Sequence, residues 1–307
     1  MQIPSTLISL TTKALTEAMD VDAMIHLAKE LVYNYDLYQR LGVHESMIIP
    51  RRDAALHIIT DMVDLGLFYY LVSVLIRIQK YGFKGKMYKI SHMNDILKRI
   101  DECGYIYDPE NRIFVENPAM RRTRNWGALV EGVAYHLAFL RLDVAENSKL
   151  VRKYSDQIIN ATYTDLRKIV ENSIDKRNGR IWNWEGDGGL VAFYFSNKDN
   201  LATLSGIEII NMLFIYNILY CRLDEPLKVR IAVHSGLCMY TEDLEELMKD
   251  DVIKQTIQIE STYTKPSSLT LSNTVCSKLD SLLLDGLDAT PVDDPISYAS
   301  YSVTLEQ

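Results

Sequence analysis

Two aspartates in this 307-residue chain stand where a carboxylate can meet a phosphate. Asp143 closes the apolar run Phe139-Leu140-Arg141-Leu142 and is followed by Val144-Ala145-Glu146-Asn147-Ser148. A strand that ends in an aspartate and turns into a helix puts the carboxylate at a sheet edge, beside unpaired helix N–H groups that favour anions. Ser148 is the predicted N-cap. Asp187 lies in Glu185-Gly186-Asp187-Gly188-Gly189, between strand-like runs at 180–184 and 190–195. Glycines packed around one aspartate suit a hairpin tip with positive φ and close ligand approach. Singly, each feature also reads as an ordinary strand end or an ordinary turn with a solvated acid.

The elements that must carry these residues follow from periodicity. From residue 136 onward the pattern is strand (136–142), long helix (148–178), Trp-rich hairpin (180–195), helix (200–221), strand (227–234), helices through 263, strand (268–271) and helix (273–284). Strands alternate with helices, yet one pair is a tight hairpin. This points to an α+β fold in which helices cover a mainly antiparallel sheet. Alternation places Asn183 on the sheet face opposite Trp182 and Trp184, and the tryptophans are expected to pack under the helices.

The preceding sequence differs in kind. Apolar residues recur at helical spacing over 11–41, and further helices are expected at 54–65 and 67–79, so residues 1–85 form a helical module. Residues 86–127 follow as a small helix-plus-hairpin element or linker: a short apolar run at 87–90, a helix at 93–102 and a hairpin around Asp108-Pro109-Glu110-Asn111. It reads equally as a winged-helix-like piece or as an appendage packed on the helices. Residues 128–307 make the third segment.

Bulk properties exclude several function classes. A 48% hydrophobic, 24% charged composition with 14 Gly and 8 Pro is that of a folded domain pair. The net charge of −8 argues against a sequence-independent grip on nucleic acid. The basic run Arg121-Arg122-Thr123-Arg124 is expected to be a solvated linker. Cys103, Cys221, Cys238 and Cys276 form no CxxC pair and are read as thiols of a reducing compartment. The stretch 65–78, taken as the most apolar, is too short to span a bilayer, so a cytoplasmic protein without a membrane partner is expected. No histidine pair has metal-ligand spacing, and His234 is read as structural.

Asp143 and Asp187, 44 residues apart (187 − 143), are followed by Val229-Arg230-Ile231-Ala232-Val233-His234-Ser235-Gly236, by Ile259-Glu260, and by Lys265-Pro266 ahead of Leu269-Thr270-Leu271-Ser272. In order and spacing these resemble the catalytic domain of class III adenylyl and guanylyl cyclases. The family has a metal aspartate after its first strand, a second in a Gly-Asp-Gly hairpin, a strand of the type Val-Arg-Ile-Gly-Ile-His-Ser-Gly, and a Lys-Pro turn. The resemblance implies two divalent cations, Mg or Mn, held by Asp143, Asp187 and the carbonyl of Val144. It also implies a nucleoside triphosphate received near Asn147 and Ser148, and formation of a 3′,5′-cyclic nucleotide with release of pyrophosphate.

The sequence departs from the family at three places. The helix of the type Val-Asn-X-X-X-Arg, supplied by the partner subunit in active homodimers, would present Lys254 and Gln258 where the family has Asn and Arg. A lysine lacks the planar fork of arginine, and glutamine carries no charge. The usual adenylyl-cyclase base-reading Lys is replaced by Asn183, whose amide both donates and accepts; pyrimidine cyclases of bacterial anti-phage signalling therefore become candidates. Three readings stand: an active homodimeric cyclase, an inactive nucleotide-binding or dimerisation module, and the metal-supplying half of a heterodimer.

Overall fold

The computed structural model describes residues 3–109, 112–117, 119–120, 123–290 and 298–303. Glu110 and Asn111 of the predicted hairpin turn, and Arg121 and Arg122 of the basic run, lie outside the described residues. The chain divides into two compact units, residues 1–122 with 126–128, and residues 123–125 with 129–307.

The first unit holds α1 (Ser5–Ala18), α2 (Val21–Leu31), α3 (Leu37–Leu41), α4 (Arg51–Asp64), α5 (Phe68–Tyr81), α6 (Met93–Glu102) and the antiparallel pair β1 (Tyr105–Asp108) and β2 (Ile113–Glu116). The helical period over 11–41 resolves into three helices because Asp20 and Asp36 each restart one. Their carboxylates accept from Ala23 N at 2.9 Å and Gln39 N at 3.0 Å. A single apolar core joins Leu15, Leu27, Ile58 and Leu71 to Tyr88, Ile96, Ile100 and Phe114. Tyr88, Ile90, Met93, Ile96, Ile100, Tyr105 and Phe114 thus share the core of the helices before them.

The second unit is built on β3 (Ala134–Val144), α7 (Asn147–Lys153), α8 (Asp156–Asp175), β4 (Arg180–Glu185), β5 (Gly188–Phe193), α9 (Lys198–Leu219) and β6 (Val229–Met239). It continues with α10 (Leu244–Leu247), α11 (Asp251–Gln258), a π-helical turn (Ile259–Tyr263), β7 (Ser268–Ser272), α12 (Asn273–Cys276), α13 (Ser281–Leu284), β8 (Asp288–Thr290) and β9 (Tyr298–Ser302). The sheet order is β4-β5-β3-β6-β7-β9-β8, and only the β6/β7 pair is parallel. The path β3-α8-β4-β5-α9-β6 is the βαββαβ arrangement. The fold is α+β, an essentially antiparallel sheet with helices on it.

Alternation sorts the two sheet faces. Leu140, Leu142, Ile231 and Val233 face α8 and α9, where they meet Leu166, Val170, Ile209 and Leu213. The opposite face carries Phe139, Arg141 and Asp143 of β3 with Arg230, Ala232 and His234 of β6, and there Ala232 packs on Ile259 and Tyr263 of the π turn. A Cβ at Gly236 would stand 2.7 Å from Val252 Cγ2, so glycine lets α11 approach β6 closely.

Several expectations change. The helix over 148–178 breaks at Tyr154 and Ser155, both extended. The helix over 273–284 is two single turns, α12 and α13, the second starting after an extended Asp280. Thr123 and Arg124 are not a solvated linker. Arg180 Nε donates to Thr123 O at 3.1 Å, and Trp182 Nε1 donates to Arg124 O at 2.9 Å. Among the described residues α9, rather than 65–78, is long and apolar enough to cross a membrane, with mean hydropathy 1.5 in its best window. Here Ala202, Ile209, Ile210 and Leu213 are buried in the domain core.

Candidate active site

Sheet register brings the two aspartates together. β3 pairs with β5 so that Leu142 lies opposite Gly189, and β4 pairs with β5 as far as Glu185 opposite Gly188. Only Gly186 and Asp187 remain in the loop, and Gly186 takes φ +46°. A Cβ on Gly188 would lie 2.3 Å from Leu142 O and 3.0 Å from Asp143 Cα. Only glycine permits that approach, which sets the hairpin tip against the end of β3. Asp187 accepts a hydrogen bond from Asn147 Nδ2, and Asn147 Oδ1 accepts one from the Tyr163 hydroxyl on α8. Burial, and then the charges of Asp187 and Asp143, push the Tyr163 phenol up to about 12. One hydroxyl therefore senses both carboxylates.

Asp143 is held from its own face of the sheet. Arg230 Nη2 donates to Asp143 Oδ2 at 2.6 Å, and Arg141 Nη2 stands 4.0 Å from Oδ1. Arg230 Nε lies 2.6 Å from Glu260 Oε1 in the π turn. Neither of these last two atoms makes an aligned hydrogen bond among the described residues, so the contact is a close ion pair with the N–H off axis. Burial pushes the Glu260 carboxyl up, against the pull of Arg230, with Asp143 adding to the rise. Burial also opposes the Arg230 charge, but the hydrogen bond to Asp143 and the nearness of Glu260 outweigh it and raise its pKa. Of Asp143, Arg230 and Glu260, only Glu260 is buried, so loss of Arg230 would leave a buried carboxylate without its charge partner, which is destabilising.

The remaining predicted residues fall in different places. Val144 pairs with Val229 at the end of β3, its side chain 1% exposed. Ser148 is not an N-cap: α7 begins at Asn147, and Glu146, at φ +59° with no capping side chain, precedes it. Asn183 does not oppose Trp182. A bulge between Ile181 and Asn183 sets Asn183 opposite Leu190, itself opposite Arg141, so Asn183 shares the face of Asp143. Its Nδ2 donates to Glu185 Oε1 at 2.8 Å. The tryptophans part company: Trp182 meets Phe139 and Tyr240 edge-on at 5.3 and 5.7 Å, while Trp184 lies under Arg167 of α8 at 5.6 Å.

Lys254 and Gln258 are exposed on α11, and the nearest partner of Lys254 is Asp251 at 3.7 Å. Neither joins the aspartates within this chain. His234 is buried and its Nδ1 contacts Ser272 Oγ at 2.8 Å.

Tyr163 and the Arg230–Glu260 pair were not read from the sequence as parts of the site. Tyr163 had no signal there, since its partner is 16 residues away on another helix. Alternation in β6 does place Arg230 on the face opposite Ile231, which was a usable clue.

Among the described residues no group of three or more His, Cys, Asp or Glu gathers around one point. A cation here would rest on two carboxylates and main-chain oxygen, completed by water or phosphate, the donor chemistry of Mg2+ and Mn2+. The residues fit such a group. Arg141 Nε is buried with no acceptor among the described residues.

No family model and no curated protein matches the chain. Among solved structures, the guanylyl cyclase domain of the RhoGC fusion protein from the aquatic fungus Blastocladiella emersonii is similar at 16% identity and TM-score 0.45, covering 55% of this chain and 97% of that one. The guanylyl cyclase Cya2 is similar at 18% identity and TM-score 0.46, over 56% and 93%. The adenylyl cyclase CyaB from P. aeruginosa is similar at 14% identity and TM-score 0.47, over 57% and 98%.

Proposed function

We propose that the second unit is a metal-dependent nucleotidyl cyclase that converts a nucleoside triphosphate to a 3′,5′-cyclic nucleotide and pyrophosphate. The observation that carries this reading is the seating of the Gly186-Asp187-Gly188 tip against the end of β3, which brings Asp187 to Asp143. Two carboxylates with main-chain oxygen beside them, at the end of β3 and the tip of the β4–β5 hairpin, are the donor set that suits a hard divalent cation.

Asp143, Asp187 and the Val144 carbonyl would hold divalent cations, which when bound would neutralise charge on the triphosphate and lower the pKa of the ribose 3′-hydroxyl. Tyr163, through Asn147, fixes the direction of Asp187. Arg141, on the same face, adds positive charge beside the phosphates. The ribose 3′-oxygen forms a bond to the α-phosphorus, its proton leaves to solvent, and the α–β bridging bond breaks to release pyrophosphate. Asn183 lies on the same face, and its amide can accept from or donate to a base edge.

Lys254 and Gln258 are exposed on α11 and make no hydrogen bond or ion pair with Asp143 or Asp187 of this chain, which supports a reading in which they serve a second subunit of a dimer. A competing reading, an inactive nucleotide-binding module or one half of a heterodimer, is favoured by the chemistry of that pair, which offers one flexible charge in place of an arginine fork.

The test is incubation of the purified protein with each ribonucleoside triphosphate and Mn2+ or Mg2+, with products resolved by chromatography. A cyclic product that disappears in Asp187→Ala supports the enzyme. Metal-dependent binding without turnover supports the inactive module, and activity only after mixing with another cyclase chain supports the heterodimer.

A further inference from the structure

We infer that Glu260 is a positioning residue for the metal site: through Arg230 it sets how much positive charge rests on Asp143, and so sets the affinity of the site for a divalent cation. The inference rests on the proposed metal role of Asp143 and goes beyond it to residues that touch no substrate.

The geometry is a chain of three charges. Arg230 spans them, with Nη2 on Asp143 Oδ2 at 2.6 Å and Nε beside Glu260 Oε1 at 2.6 Å. Glu260 is only 4% exposed, whereas Arg230 is 27% and Asp143 21% exposed. The inner carboxylate is therefore fixed by burial, and the guanidinium is divided between a buried anion and one facing the candidate site. Arg141 Nη2 is 4.0 Å from the other oxygen of Asp143 and adds a second positive charge. Without Glu260, two guanidiniums would face one aspartate and repel a cation. With it, one of those charges is already matched from behind. Glu260 also belongs to the π-helical turn that ends α11, and such turns gather at functional sites. The helix bearing Lys254 and Gln258 is thereby tied to the charge state of Asp143.

Coulomb interactions give the test opposite signs for the two partners. Mn2+ binding to the purified full-length chain would be followed by electron paramagnetic resonance and calorimetry, with no nucleotide present. Glu260→Gln leaves the full guanidinium charge on Asp143 and should weaken Mn2+ binding on the order of fivefold or more. Arg230→Gln removes that charge and should tighten it by a similar factor. In an Arg230→Gln background, Glu260→Gln should lose most of its effect. Glu260 is buried, so Arg230→Lys serves as a second probe: it keeps the charge but lacks the second limb of the fork, and should uncouple the two positions while leaving the fold intact by circular dichroism. A merely structural role for the pair would weaken binding in every variant, and that result, or no change in any, would overturn the inference. If Asp143→Asn and Asp187→Asn bind Mn2+ as the parent does, the metal reading itself fails and the inference falls with it.

Discussion

Asp143 and Lys254 belong to elements on the same side of one sheet, in unlike surroundings. Asp143 is 21% exposed, bonded to Arg230 at 2.6 Å and backed by Glu260, while Asp187 beside it is reached through Asn147 and Tyr163. Lys254 is 58% exposed with a loose partner in Asp251 at 3.7 Å, and Gln258 is exposed at the last turn of α11. One half of the proposed site is preorganised inside the chain, with directions fixed before any ligand arrives. The other half presents side chains to solvent, where their geometry must come from whatever binds. The contrast fits the proposal that the chain's own chemistry lies at the ends of β3 and β5 while α11 serves a second subunit.

The largest expected effect separates those halves. Asp187→Ala should lower cyclic-nucleotide formation on the order of 10³-fold, the scale of losing a main transition-state contact. Lys254→Ala should lower it by less than about tenfold, since an exposed flexible lysine loses more entropy than an ordered donor when it engages. Initial rates of both variants at saturating Mn2+ measure the difference, and equal losses would erase the contrast.

Gly188→Ala probes the preorganised half by stability. Its Cβ would collide with backbone at 2.3 Å, so something must shift, and a cost of about 1–3 kcal/mol is expected. A thermal melt should show a lower Tm, whereas Lys254→Ala should stay within about 0.5 kcal/mol of the parent.

A smaller effect concerns His234 on β6. Burial pushes its pKa down, outweighing a hydrogen bond with Gln255 that acts the other way. The unfolded chain therefore takes up the proton first as pH falls. The stability held above the unfolded value of about 6.5 is lost on acidification through that region. Denaturant midpoints between neutral and mildly acid pH should fall in the parent and change less in His234→Gln.

What could be read from the sequence follows the range of the interactions involved. The β3 strand, the β4–β5 hairpin and α6 were legible because alternation, glycine punctuation and helical spacing are local signals. The meeting of Asp143 with Asp187 was legible only through motif order, because it depends on the Leu142 and Gly189 register. The bulge at Trp182 was not legible: one extra residue puts Trp182 on the face of Asn183, while Trp184 stays opposite as alternation predicts, without any change of composition. The breaks at Tyr154–Ser155 and Asp280, and the strand β9, whose run Tyr298-Ala299-Ser300-Tyr301-Ser302 carries little apolar signal, are likewise decided by tertiary packing. The Arg230–Glu260 contact joins positions 30 residues apart (260 − 230) and needs the π turn, which periodicity does not mark.

The most direct test of a metal-and-triphosphate site at these aspartates is a crystal structure with a non-cyclisable nucleoside triphosphate analogue and Mn2+, read by anomalous scattering. Manganese coordinated by both Asp143 and Asp187, with the triphosphate over the tip of the β4–β5 hairpin, is the expected result. Manganese and triphosphate bound elsewhere, with Asp143 still paired only to Arg230, would contradict it.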